Sequence, residues 1–147
     1  MKFALRTLAM ISATALLAPM AMAASNGGGG DPEQGQKIFK RCAACHKVGD
    51  NAKNAAGPLL NNVIGRTAGS VEGFKYSKSM VAAGEKGLVW TEETIAAFVE
   101  NPKKFLQEYL DDPKAKSRMS VKIKKEEDRR NVAAYIATYS EAPAASE

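Results

Sequence analysis

The sequence predicts an all-α fold, with several short helices joined by two long loops. Three observations carry that expectation. Apolar residues recur at helical spacing near the C-terminus, where Val132, Tyr135, Ile136 and Tyr139 stand at i, i+3, i+4 and i+7. Residues that start helices stand at Asp31-Pro32, Thr91 and Asn101-Pro102. No segment alternates apolar and polar residues as a half-buried strand does. The 147 residues are one domain's worth, and with 45% in the hydrophobic set and 25% charged the bulk of the chain can fold.

The first stretch stands outside that fold. Met1 to Arg6 is a short basic start, Thr7 to Ala18 is an uncharged apolar run, and Ala21-Met22-Ala23 offers small residues around one position. This pattern predicts a secretory signal, residues 1–23, cleaved after Ala23. The alternative is a retained membrane anchor. Against it, the run contains Ser12, Thr14 and Pro19, and it is short beside the roughly 20 apolar residues of a spanning helix. Cleavage removes Lys2, Arg6 and four of the six methionines, leaving Met80 and Met119. Residues 24–30, ending in Gly27 to Gly30, then form a flexible lead-in. Export places the protein in the periplasm, an oxidising compartment.

The folded domain is expected over residues 31–140. Asp31 caps the first helix, Pro32 suits its first position, and Gln34 sits three after the cap. Ile38 and Phe39 give it an apolar side, and it should run to about Arg41. From Gly49 to Gly73 little helical period remains, and Gly57-Pro58, Gly65 and Gly69 punctuate a long loop. Loops of that length are usually functional. Lys78 to Ala83 predicts a short helix stopped by Gly84. Thr91 caps the next, with Glu92 and Glu93 placed well against its dipole and Ile95, Phe98 and Val99 facing inward. Asn101-Pro102 ends that helix and starts another, carrying Phe105, Leu106 and Tyr109. Asp111 to Val121 is again loop, the last helix runs from about Lys125 to Tyr139, and residues 141–147 form a disordered tail. Short helices on long loops bury little apolar surface among themselves, so such a domain needs something else at its centre.

Cys42-Ala43-Ala44-Cys45-His46 supplies a candidate. This is the C-x-x-C-H spacing of c-type haem attachment. On a helical turn, positions i, i+3 and i+4 share a face. Two thiols there can add to the two vinyl groups of one porphyrin, and the adjacent imidazole points at the iron from the same side. A thioredoxin-like redox pair wants a βαβ context, which this chain lacks. A zinc site wants four N or S ligands, and the chain holds two cysteines and one histidine. With two cysteines it is no disulfide scaffold, and a net charge of +5 is too thinly spread for a dedicated nucleic-acid binder.

His46 is the proximal ligand of such a haem, since the chain has no second histidine. The sixth position is open to Met119, Met80, a lysine, or nothing. Met80 precedes Val81 and Ala83 at helical spacing and reads as core filler. Met119 sits in the polar, basic Ser117-Arg118-Met119-Ser120, where a filler residue is unexpected, and it is the preferred ligand.

The sequence resembles the class I cytochromes c, most closely bacterial cytochromes c2 with a longer loop before the methionine. The matching pieces run in order from Gly35 to Tyr135. They are Gly35-Gln36-Lys37-Ile38-Phe39, the Cys42 to His46 motif, Gly57-Pro58, Gly65-Arg66-Thr67, Phe74-Lys75-Tyr76, Trp90, Asn101-Pro102-Lys103-Lys104-Phe105 and Lys116-Ser117-Arg118-Met119. The resemblance implies the class I fold, short helices wrapped around one haem c bound through Cys42 and Cys45. It implies Met119 as the axial thioether and the Pro58 carbonyl as acceptor for the free nitrogen of His46. Trp90, Tyr76 and Arg66 are then expected around the haem propionates, with Ser117 in support. Gly35 and Phe39 are expected to meet Val132 and Tyr135 where the first and last helices cross. The chain departs from the family pattern at three places. Phe98 replaces a usual tyrosine near the sulfur, Val121 replaces a phenylalanine at the haem edge, and Leu59, Asn61 and Asn62 alter the pattern after Pro58.

A closed His/Met iron leaves one-electron exchange as the chemistry, and the chain is expected to be a carrier and not an enzyme. Lys114, Lys116, Arg118, Lys122, Lys124 and Lys125 bracket Met119 with no acid among them. Joined by Lys37, Arg41, Lys103 and Lys104, they are expected to dock a soluble monomer on acidic patches of membrane redox complexes. By resemblance the donor is of the cytochrome bc1 type. The acceptor is a photosynthetic reaction centre, a terminal oxidase or a reductase. The alternatives are an open-site haem protein, such as a ligand sensor or peroxidase-like enzyme, and a carrier tethered by a retained residues 1–23.

Overall fold

The computed structural model describes residues 29–141. The expected signal segment, residues 24–28 of the lead-in and the tail from 142 onward lie outside the described residues. Five helices follow one another: α1 (Pro32–Phe39), α2 (Lys78–Glu85), α3 (Glu92–Glu100), α4 (Pro102–Leu110) and α5 (Glu126–Ala137). Extended pairing among the described residues is limited to one antiparallel bridge between Thr67 and Val89. The chain is all-α, as its periodicity predicts.

Capping explains where the helices start. The Asp31 carboxylate accepts from the Glu33 and Gln34 amides at 2.8 and 3.2 Å. Gln34 does not reach back to complete a capping box. Its side chain takes the Lys37 ammonium at 3.1 Å, and the Asp31 N–H instead donates to the buried Asn131 Oδ1 at 2.8 Å. Thr91 and Thr94 do form a reciprocal box at the head of α3. Asn101 closes α3 and caps α4 through the Lys104 amide at 3.3 Å. Glu126, Glu127 and Asp128 occupy the first turn of α5, where their charge suits the helix dipole.

The ends follow tertiary contacts more than local signals. α2 runs through Gly84, the expected stop, because that residue lies against the Ala68 carbonyl with no space for a Cβ. The stop is Gly87, with φ of +99°. The Gly87 N–H bonds the Gly84 carbonyl and the Leu88 N–H bonds the Ala83 carbonyl, both at 2.9 Å, which is a Schellman ending. α1 ends at Phe39, short of the expected Arg41, and tight turns carry the chain through residues 40–45.

α1 crosses α5 at close range, α3 packs on α5, and α2 packs on α4. A Cβ at Gly35 would strike the Asn131 carbonyl and lie 2.7 Å from the Tyr135 Cβ. Phe39 and Tyr135 meet with ring centroids 5.2 Å apart. Gly30, last of the four lead-in glycines, sits against the Arg130 carbonyl in the same way. The core between these helices contains Ile95, Phe98, Val99, Leu106, Ile123, Val132 and Ile136. Ile123 is the unexpected member. It lies inside the basic run, is buried, and donates its N–H to the Val99 carbonyl at 2.9 Å. Ala115 is buried likewise, so two apolar anchors hold this segment while Lys114, Lys116, Arg118, Lys122, Lys124 and Lys125 stay exposed.

Candidate haem site

The long loops and the inner faces of α3 and α5 enclose a cavity. It has about 1240 Å³ free of protein atoms, the part open to solvent included. Val63, Ile95, Phe98, Val99, Val132 and Ile136 give it apolar walls.

Cys42, Cys45 and His46 stand together on that wall. The turns after α1 put them there. Cys42 N–H bonds the Phe39 carbonyl at 2.7 Å, Cys45 N–H bonds the Cys42 carbonyl at 3.0 Å, and His46 N–H bonds the same carbonyl at 2.9 Å. This is the i, i+3, i+4 face that the spacing predicts. Both thiols are free, Cys42 buried and Cys45 exposed. Burial pushes the Cys42 thiol up, against the opposite pull of the adjacent Arg41.

His46 Nδ1 lies 2.8 Å from the Pro58 carbonyl. A carbonyl only accepts, so Nδ1 carries the proton and Nε2 keeps the lone pair a metal needs. Burial holds the imidazole below its ordinary pKa, and the Pro58 bond works in the other direction. Gly57 makes this geometry possible. A Cβ there would lie 2.5 Å from His46 Cε1 and 2.8 Å from both ring nitrogens.

The other expected residues line the same cavity: Pro58, Arg66, Tyr76, Trp90, Ser117 and Met119. Arg66 donates to the Asn61 and Leu59 carbonyls, each at 3.0 Å, so its guanidinium braces the loop after Pro58. Burial lowers the Arg66 pKa and raises that of Tyr76, and the pair partly offset each other. The Ser117 hydroxyl brackets Met119, donating to its carbonyl at 3.0 Å and accepting from its N–H at 3.1 Å. Trp90 meets Phe98 edge-on at 5.1 Å, and Phe98 meets Phe105 at 5.6 Å. Val121 also lines the cavity.

The wall also holds residues beyond those expected at the site. Met80, read as core filler, lines the cavity as Met119 does. So do Ile95, Val99, Val132 and Ile136, whose helical spacing showed that they face inward but not what they face.

A family model described as "Cytochrome c" matches residues 32–140. The chain belongs to the cytochrome c family. It is 44% identical over 117 residues to "Cytochrome c2 iso-1" of Rhodospirillum centenum, a match covering 76% of this chain and 98% of that protein. It is 44% identical over 144 residues to "Cytochrome c2" of Cereibacter sphaeroides, covering 92% of this chain and 95% of the relative. The solved cytochrome c2 structure from Rhodospirillum centenum superposes with a TM-score of 0.73 at 43% identity, covering 76% of this chain and all of that one. The family fold is class I, as the order of the motifs implies. Cytochromes c carry haem c covalently and transfer electrons; they are not enzymes. The residues present fit that group: two free thiols, an imidazole with its Nδ1 committed, and apolar walls. Cys42 and Cys45 are in place to hold it.

Proposed function

We propose that this chain is a soluble periplasmic one-electron carrier whose iron is held by His46 and Met119. One observation carries the ligand assignment. His46, with Nε2 left for a metal, shares a cavity with Met119, whose backbone Ser117 fixes at both ends. Met80 shares the wall but belongs to the first turn of α2, where its N–H is bound to Ser77. Haem c, once bound, supplies Fe(III)/Fe(II) exchange.

The chain's own residues do the rest. The Pro58 carbonyl strengthens His46 as a base and fixes its ring plane. A Met119 thioether favours ferrous iron. The apolar walls keep water away, which disfavours the extra charge of the ferric state. Trp90, Tyr76 and Arg66 are assigned to the propionates.

The exposed cations are assigned to docking. Arg41 and Arg118 line the cavity, and they donate to the Lys122 carbonyl at 3.3 Å and to the Lys75 carbonyl, which supports grouping these charges about the site. Lys37, Lys103, Lys104, Lys114, Lys116, Lys124 and Lys125 are exposed as well. Acidic patches on membrane redox complexes suit such a face, with a cytochrome bc1-type donor and a reaction centre, terminal oxidase or reductase as acceptor. Among the described residues no helix is long and apolar enough to cross a membrane. Export with cleavage before Ala24 is tested by the N-terminal sequence of the protein recovered from the periplasm.

Optical spectra of the exported protein test the ligand set. The ferric form should show a far-red sulfur-to-iron band, and carbon monoxide should leave the ferrous spectrum unchanged. Met119→Ala should lose the band and bind carbon monoxide, while Met80→Ala keeps the band. A wild type that lacks the band and binds carbon monoxide readily has an open iron, and the carrier reading fails in favour of ligand binding or peroxide chemistry.

A further inference from the structure

Asn61 stands in the stretch after Pro58 where the chain departs from the family pattern. Its carboxamide pairs with a single residue through both ends. Oδ1 accepts from the Gly49 N–H at 3.0 Å, and Nδ2 donates to the Gly49 carbonyl at 2.9 Å. Gly49 has φ of +89°, a region that favours glycine.

This pairing continues a series. The Gly57 N–H donates to the Cys45 carbonyl at 2.8 Å, and the Leu60 N–H donates to the Lys47 carbonyl at 3.0 Å. Segments 45–49 and 57–61 therefore run in the same direction, linked at three levels. The first segment carries His46 and the second carries Pro58, the acceptor for its Nδ1 proton. The third link is the one made by a side chain. The next residue faces the other way: the Asn62 N–H donates to the Tyr139 carbonyl at 2.9 Å and its Oδ1 accepts from the Glu141 N–H at 3.1 Å, ties to the C-terminal segment and not to residues 45–49.

We infer that Asn61 is a positioning residue for the His46 imidazole. It acts through Gly49, holding the two segments at the separation that keeps the Pro58 carbonyl on Nδ1. The inference rests on His46 being the iron ligand. An imidazole whose Nδ1–H is well bonded is a stronger donor at Nε2 and favours ferric iron. Loosening the pairing lengthens that bond, exposes the Nδ1 proton to exchange, and raises the reduction potential.

The test uses the holoprotein. NMR of the ferrous state follows exchange of the His46 Nδ1 proton, spectroelectrochemical titration gives the midpoint potential, and thermal unfolding gives stability. Asn61→Ala loses both bonds to Gly49 and should exchange this proton about tenfold faster, the factor that about 1.4 kcal/mol of lost hydrogen bonding gives, and titrate at a higher potential. Asn61→Asp keeps an acceptor for the Gly49 N–H and loses the donor to its carbonyl, so exchange should quicken likewise; its added negative charge itself favours ferric iron, so the potential is read on Asn61→Ala. Asn62→Gly, which tolerates the left-handed backbone at that position (φ 54°) and removes the Glu141 bond, should leave both at wild-type values. Asn61 variants that melt earlier yet keep wild-type exchange and potential would overturn the inference, leaving Asn61 a support of the loop. A wild-type His46 ring without the NMR shifts of a haem-bound imidazole removes the ligand assignment itself, and that outcome is visible before any variant is made.

Discussion

The backbone of Gly35 in α1 rests on the carbonyl of Asn131 in α5, with no room between them for a side chain. Asn131 holds α1 a second time, at its start, where its Oδ1 accepts the Asp31 N–H at 2.8 Å. One buried residue thus sets both the approach and the register of the two helices. The consequence reaches the site. α1 leads directly into the turns of Cys42 to His46, and α5 supplies Val132 and Ile136 to the cavity wall.

Gly35→Ala is therefore expected to destabilise the holoprotein although alanine is the better helix former. The propensity gain is about 0.5–1 kcal/mol. Against it, a methyl group at this crossing meets backbone that cannot swing aside, and overpacking of that kind costs about 1–3 kcal/mol. Guanidinium titration of both proteins should give a lower midpoint for the variant. An equal or higher midpoint would show that α1 and α5 can separate without loss.

Gly57→Ala puts the same kind of strain directly on the ligand. The new methyl group would lie 2.5 Å from His46 Cε1, so either the ring or the loop must move, and the 2.8 Å bond to Pro58 breaks. The haem-to-protein ratio of the exported variant should fall below that of wild type, because a displaced imidazole no longer helps seat the haem beside Cys42 and Cys45. Normal haem loading would mean that the loop yields and the imidazole keeps its place.

Helix starts were legible in the sequence because caps are local. Asp31, Thr91 and Asn101 each bond an amide within three residues. Helix ends were not, because contacts far along the chain decide them. Gly84 reads as a stop, but the Ala68 carbonyl claims its missing side chain, and the left-handed turn falls at Gly87. Gln34 reads as a capping-box partner, but Asn131, a hundred residues away, takes the Asp31 N–H. The attachment motif was legible from spacing alone. Part of the wall around it was not: Val63 stands in a loop without a period, and nothing local marks it as buried.

Tyr135 should make the protein sensitive to alkali. Its phenol is pushed up to about 12 from 10.0, first by burial and then by its bond with the Tyr139 hydroxyl at 2.9 Å. Below pH 10.0 the group is protonated in folded and unfolded chains alike, and its contribution is fully present. Between 10.0 and about 12 the unfolded chain releases a proton that the folded chain retains, so stability falls as pH rises. Tyr135→Phe should flatten this alkaline limb relative to wild type in denaturant titrations across that window. Parallel limbs would mean that the phenol has the same pKa in both states.

Ser117 offers a last test, on the sixth-ligand side. Its hydroxyl both accepts from and donates to the backbone of Met119, and this local ring fixes the residue within a segment that has no helix to hold it. Ser117→Ala removes both bonds, each contributing about 1 kcal/mol, and leaves Met119 free to leave the cavity wall. A thioether so loosened competes less well with added ligands. Imidazole should therefore displace the far-red band of the ferric variant at a concentration up to about thirtyfold lower than in wild type, since the two bonds together come to about 2 kcal/mol and about 1.4 kcal/mol corresponds to a factor of ten. Ser77→Ala removes the contact to the Met80 N–H at 3.2 Å and a bond to the Lys116 carbonyl at 3.3 Å, and should lower that concentration far less than Ser117→Ala does. The opposite pattern, with Ser77→Ala sensitive and Ser117→Ala not, would move the axial assignment from Met119 to Met80.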